Sequence, residues 1–145
     1  MLGKYGISAQ LMEVEVTESV DLEGSSEAMA EILQLRAAGV SIALDDFGTG
    51  HSSLSYLQHL PLDIVKINQS FIRSIQPTEC PGNAILRAII ALAKALHLEI
   101  IAEGVETEEQ HSWLTAEDCD IAQGYLPGKP VDRLEFEQRY LRQSA

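Results

Sequence analysis

Short stretches in which apolar and polar residues alternate are separated along this chain by longer stretches in which apolar residues recur every three or four positions. In the first alternating stretch Met12, Val14 and Val16 interleave with Glu13, Glu15 and Thr17, the period of a strand with one apolar and one polar face. It ends at Glu18-Ser19. Ser25-Ser26-Glu27 then supplies a helix start, Met29, Ile32, Leu33 and Leu35 an apolar side, and Gly39 a stop.

The cycle repeats. Ile42 and Leu44 alternate with Ser41, Ala43 and Asp45, followed by a glycine-rich loop and a short helix predicted around 54–60 and closed by Pro61. Ile64-Val65-Lys66-Ile67 reads as a third strand. A long helix is predicted from Ala84 to His97, with Ile85, Ile89, Leu92 and Leu96 on one side. A fourth strand follows at 99–102, and Thr107-Glu108-Glu109-Gln110 opens a helix containing Trp113 and Leu114. A short fifth strand at 120–122 and a helix from Leu134 to Leu141 complete the pattern.

Five strands in parallel order, each followed by a helix, imply right-handed crossovers and an α/β class. Glu15, Asp45, Lys66, Glu103 and Gln123 each fall at the C-terminal end of a different strand. Barrel enzymes draw reactive groups from several strand ends, whereas open sheets concentrate them at one switch point, so a partial (β/α) TIM-type barrel is expected. By parity these five share a face with Glu13, Ala43, Ile64, Ile101 and Ile121, predicted to line the barrel interior. The alternate set, Val14, Val16, Ile42, Leu44, Val65, Ile67, Ile100 and Ala102, is predicted to face the helices.

Composition narrows the function. With 145 residues, 46% hydrophobic and 22% charged, the chain has the size and balance of one globular domain. No apolar stretch of signal-peptide length opens it, and Arg87, Lys94 and His97 interrupt the most apolar segment, so no membrane segment is expected. Cys80 and Cys119 lack metal-ligand spacing and read as free thiols of a reducing, cytoplasmic compartment. Ten Lys+Arg against 22 Asp+Glu give a net charge of −12, which disfavours binding to DNA or RNA backbones. If phosphate is handled, cations must assist.

The strand ends say which cations. Glu15, Glu18, Asp45, Asp46, Glu103 and Glu106 are predicted to converge on one rim, where like charges demand a counter-ion. Oxygen donors unaccompanied by His or Cys favour Mg²⁺ or Mn²⁺, with Ca²⁺ as an alternative. Adjacent Asp45 and Asp46 are expected to diverge, the first reaching inward and the second lying along the rim. Two ions sharing such ligands stabilise the attacking and leaving oxygens of a phosphoryl displacement. Lys66 could orient the water or neutralise the phosphate. Phosphodiester hydrolysis fits these parts. Any single acid here reads most simply as a solvated carboxylate; the ordered set does not. Asp46-Phe47-Gly48 matches the kinase metal tripeptide without the other kinase motifs, and Gly48 and Gly50 lack the third glycine of a dinucleotide loop.

The strings Glu15-Val16-Thr17-Glu18-Ser19, Asp45-Asp46-Phe47-Gly48-Thr49-Gly50-His51-Ser52-Ser53, Lys66-Ile67, Glu103-Gly104-Val105-Glu106 and Gln123-Gly124-Tyr125 together resemble the EAL-type cyclic di-GMP phosphodiesterases. The resemblance implies a barrel hydrolysing cyclic di-GMP to linear pGpG with Mg²⁺ or Mn²⁺. By position it makes Glu15 a ligand of a first metal, Asp45 a bridging ligand, and Asp46 with Glu103 ligands of a second. Lys66, Glu103 and Gln123 become the catalytic set, with Lys66 and Gln123 placing the water. Glu18 anchors a loop that includes Gly48, Thr49 and Gly50, and Glu106 and Ser52 take substrate-binding or supporting roles.

The family's Glu-Ala-Leu motif and an asparagine from a following strand, both first-metal ligands, have no counterpart here, and Asn68 stands where the family usually has aspartate. The resemblance therefore makes residues 1–145 an expected truncated EAL-type domain, strands four to eight of the family barrel. At most one ion is expected to be well held, and hydrolysis by the isolated chain to be weak or absent. The alternative is a non-catalytic module that binds cyclic di-GMP or a partner protein and acts through oligomerisation. The open edge of the first strand predicts a homodimer or higher oligomer.

Overall fold

Both periodicities translate into the elements they predict in the computed structural model, which describes residues 2–17, 25–48, 57, 60–78 and 80–141. Two 3₁₀ turns, Leu2–Tyr5 and Ala9–Leu11, lead into β1 (Glu13–Thr17), followed by α1 (Ser26–Ala37), β2 (Ser41–Phe47) and β3 (Ile64–Ile67). Then come α2 (Gln69–Arg73), α3 (Pro81–Ala95), β4 (Glu99–Glu103), α4 (Glu108–Ala116), β5 (Ile121–Gln123) and α5 (Arg133–Phe136), which runs on into a π-helical turn at Glu137–Leu141. Most of the helix expected around 54–60 lies outside the described residues.

The five strands are all parallel and stand in the order β1-β2-β3-β4-β5. A sheet without order reversal has no switch point, and right-handed crossovers then place the connecting helices α1, α3 and α4 on the same face. Packing follows suit. Ile42, Leu44, Val65, Ile67, Ile100 and Ala102 join Ile32 of α1, Leu86 and Ile90 of α3 and Leu114 of α4 in one buried cluster. Burial of each large aliphatic side chain contributes roughly 1.5–3 kcal/mol. The opposite face carries a separate small cluster, Ala43, Ile64 and Ile101. Parity thus assigned both faces as expected.

Local chemistry sets the helix ends. The Ser25 hydroxyl accepts from the Ala28 amide at 3.2 Å, and Thr107 and Gln110 form a reciprocal capping box at α4. α3 begins three residues before the apolar pattern does, because Pro81 suits a first helical position and the Cys80 sulfur accepts from the Asn83 amide. Buried Asn83 donates to the carbonyls of Gln76 and Thr78 and accepts from the Gln76 amide, tying down the connection into α3. At the opposite rim from the strand C-termini, Asp63 accepts from the Ile42 amide at 3.1 Å and Asp120 from the Ile100 amide at 2.8 Å. Each aspartate precedes one strand and satisfies the start of its neighbour.

Two features escaped the pattern. α2, five residues long, follows β3 directly, with the Asn68 side chain accepting from the Ser70 amide at 2.8 Å. The register between β2 and β3 also shifts: Leu44 pairs with Val65 but Phe47 with Ile67, so β2 carries one extra residue at Asp45-Asp46. That is a β-bulge, and Asp46 takes a left-handed backbone with φ of 57° within it.

Candidate metal centre and its lysine

The bulge decides the geometry of the site. In an uninterrupted strand Asp45 and Asp46 would point to opposite faces, but the extra residue restores Phe47 to the helix side and leaves both aspartates half-buried on the inner one. The expected divergence of the pair is absent. Instead Asp45, Asp46 and Glu103 each offer a carboxylate oxygen, all within 4.8 Å of one another. The Asp46 amide donates to Asp45 Oδ1 at 2.9 Å, and Asn68 Nδ2 donates to Asp46 Oδ1 at 2.6 Å.

Beside this cluster lies Lys66, only 6% exposed although it is charged. Its Nζ stands 2.5 Å from Glu15 Oε1, 2.8 Å from Glu103 Oε1 and 3.8 Å from Asp45 Oδ1. It thus reaches from β3 to β1 on one side and β4 on the other, across the inner face. Burial pulls its pKa down, but hydrogen bonds to Glu103 and Glu15 and the charges of Glu103 and Asp45 outweigh burial and hold it well above the ordinary lysine value. An ammonium so placed can donate to these carboxylates and offset their charge.

Of the six carboxylates expected on one rim, the structure brings together Asp45, Asp46 and Glu103 and, through Lys66, Glu15. Glu106 turns outward to Arg73, 3.5 Å away, while its backbone amide donates to Gln110. Gln123 stands in register with Glu103 at the end of β5 and is exposed. Gly48 follows the bulge with φ of 93°, and a Cβ there would meet the Phe71 ring at 2.6 Å. Gly104, directly after Glu103, has φ of 74°, and its Cβ would meet Gln69 Cβ at 2.6 Å. α2 therefore sits against the turns that follow the three metal-ligand candidates on β2 and β4, an arrangement that glycine permits. Glu18, Thr49, Gly50 and Ser52 lie outside the described residues.

The donor set fits a divalent cation. Three carboxylates gathered without His or Cys suit a hard, oxygen-seeking ion. The singly wound parallel sheet carries this lysine and carboxylate triad toward its strand C-termini, the end at which barrel folds place their sites.

A family model described as EAL domain matches residues 1–130. This chain belongs to the EAL domain family. It is 42% identical over 137 residues to the cyclic di-GMP phosphodiesterase NbdA of Pseudomonas aeruginosa, covering 94% of this chain and 17% of that protein. The PaMucR phosphodiesterase in complex with c-di-GMP superposes with a TM-score of 0.83 at 40% identity, over 93% of this chain and 54% of that one. BlrP1 of Klebsiella pneumoniae, in a manganese and cyclic di-GMP complex, gives a TM-score of 0.72 at 32% identity over 86% of this chain and 32% of that one. The chain thus spans under a fifth of NbdA and about half of the PaMucR chain. No helix among the described residues is long and apolar enough to cross a membrane.

Asn68 is the site residue that sequence reasoning undervalued. Its signal was available as the departure from the family's aspartate, but its partner, Asp46, lies on another strand.

Proposed function

We propose that this chain is the part of a cytoplasmic cyclic di-GMP phosphodiesterase that carries strands four to eight of the barrel and a divalent-metal site, with Mg²⁺ or Mn²⁺ as the ion and cyclic di-GMP as the substrate. The observation that carries this reading is Lys66, buried between Glu15 and Glu103 beside the Asp45, Asp46 and Glu103 cluster. Asp45, Asp46 and Glu103 hold the ion, and Glu15 offers a further carboxylate on the far side of Lys66. A bound ion supplies Lewis-acid activation of water and charge neutralisation at the phosphoryl group. Lys66 keeps its proton and donates: it orients a water oxygen and offsets negative charge on the phosphodiester. Gln123, next to Glu103 in the sheet, offers an amide for the same water. Glu106, held by Arg73, supports the turn after β4.

Association is part of the proposal. Within the described sheet β1 and β5 each pair on one side only, which favours a dimer or higher oligomer. The family relation carries the nucleotide, and the excess of acid argues against DNA or RNA as a ligand.

The test is incubation of the chain with cyclic di-GMP and Mn²⁺ and chromatographic separation of the products. Linear pGpG, lost in Lys66→Ala, is the expected result for the enzyme, at a low rate if the chain acts alone. Saturable nucleotide binding without product assigns the chain instead to the binding-module reading, and neither binding nor product overturns both.

A further inference from the structure

We propose that Asn68 is a positioning residue for the metal centre, orienting Asp46 and removing one negative charge from the site. The inference rests on the metal reading above and deepens it. The amide has only one consistent orientation. The Ser70 N–H is a donor, so the atom facing it at 2.8 Å is the Asn68 oxygen, and the amino group is thereby directed at Asp46 Oδ1, 2.6 Å away. Both ends of the side chain are spoken for: one caps α2, the other holds a ligand. Gly48 and Gly104 let α2 pack against the turns after β2 and β4, so the residue that caps α2 is fixed relative to both.

An aspartate at this position would cap α2 equally well, since carboxylate and carboxamide oxygens are comparable N-caps. Its second oxygen would then face the Asp46 carboxylate at the distance now occupied by a hydrogen bond. Without a cation that contact is repulsive; with one it is relieved. Asn68 therefore keeps Asp46 in place before the ion arrives, where aspartate would make that geometry depend on the ion. The difference bears on metal affinity, because partners that orient ligating carboxylates typically change affinity by ~10–100-fold.

Three chains decide it: wild type, Asn68→Asp and Asn68→Ser. Serine keeps a capping oxygen but is too short to reach Asp46, so a role confined to the helix cap is preserved in both variants. Calorimetric titration with Mn²⁺ and thermal melts in EDTA and in Mn²⁺ are the readouts. Asn68→Ser is expected to melt close to wild type in EDTA and to bind Mn²⁺ roughly tenfold more weakly. Asn68→Asp is expected to melt lower than wild type in EDTA and to gain more from Mn²⁺. Wild-type affinity in Asn68→Ser, or an EDTA melt of Asn68→Asp at or above wild type, overturns the inference. If no chain binds Mn²⁺, the metal reading fails, and the EDTA comparison still decides whether Asn68 positions Asp46.

Discussion

Replacing Lys66 with methionine removes the buried charge while keeping its length and apolar stem. The ammonium faces Glu103 at 2.8 Å and Asp45 at 3.8 Å, whose side chains are 20% and 21% exposed, and Glu15 at 2.5 Å, which is 47% exposed. At an effective dielectric of about 20 the first two attractions are about 6 and about 4 kcal/mol. The contact with Glu15 is discounted because solvent screens it. Against these stands the regained cost of burying the ammonium, several kcal/mol, which methionine does not incur. The balance is a loss of about 3–5 kcal/mol, the range found when one member of a buried ion pair is deleted. For a domain whose total stability lies at ~5–15 kcal/mol that is a large fraction. The assay is urea denaturation in EDTA and in Mn²⁺. Lys66→Met should show the full loss in EDTA and recover part of it in Mn²⁺, because a cation among Asp45, Asp46 and Glu103 supplies the missing positive charge. A variant within about 1 kcal/mol of wild type in EDTA would refute the claim that Lys66 holds the carboxylates together.

Arg87 Nη2 lies 2.7 Å from the Glu117 carboxylate and Arg87 Nε 2.9 Å from it, and these hydrogen bonds, set against slight burial, hold the Glu117 pKa below its ordinary value of 4.5. A depressed carboxyl stabilises the fold above its unfolded pKa, and that contribution is lost as pH falls through the folded value. Arg87→Met should therefore cost up to about 1 kcal/mol at pH 7, and the gap from wild type in urea melts should narrow below pH 4.5; a gap that widens on acidification would contradict it. Gly48→Ala forces a side chain onto a left-handed backbone and into the Phe71 ring, and should lower stability by roughly 1–3 kcal/mol. Combined with Phe71→Ala the losses should be less than additive, and strict additivity in the double-mutant cycle would rule the clash out.

The strands, their parallel order and the division of their faces were legible in the amino-acid order, because each follows from a period of two and from the spacing of apolar residues. That Glu15, Asp45, Lys66 and Glu103 share the inner face was legible too, since each falls on that face by the same period of two. The sequence by itself therefore determined which side chains can reach the inner rim. How they meet there was a tertiary matter. A period of two makes Asp45 and Asp46 diverge; the bulge that reunites them exists only because Leu44 and Phe47 pair with Val65 and Ile67, residues about twenty positions away. α2 is too short to leave a periodic trace, and the orientation of Asn68 depends on Ser70 on one side and on Asp46 of another strand on the other. Glu106 is expected on the same rim as Glu103, yet beyond the turn at Gly104 it meets Arg73. Local periodicity sets the face on which a side chain emerges, while register between strands and the turns after them set the ångström distances on which metal binding depends.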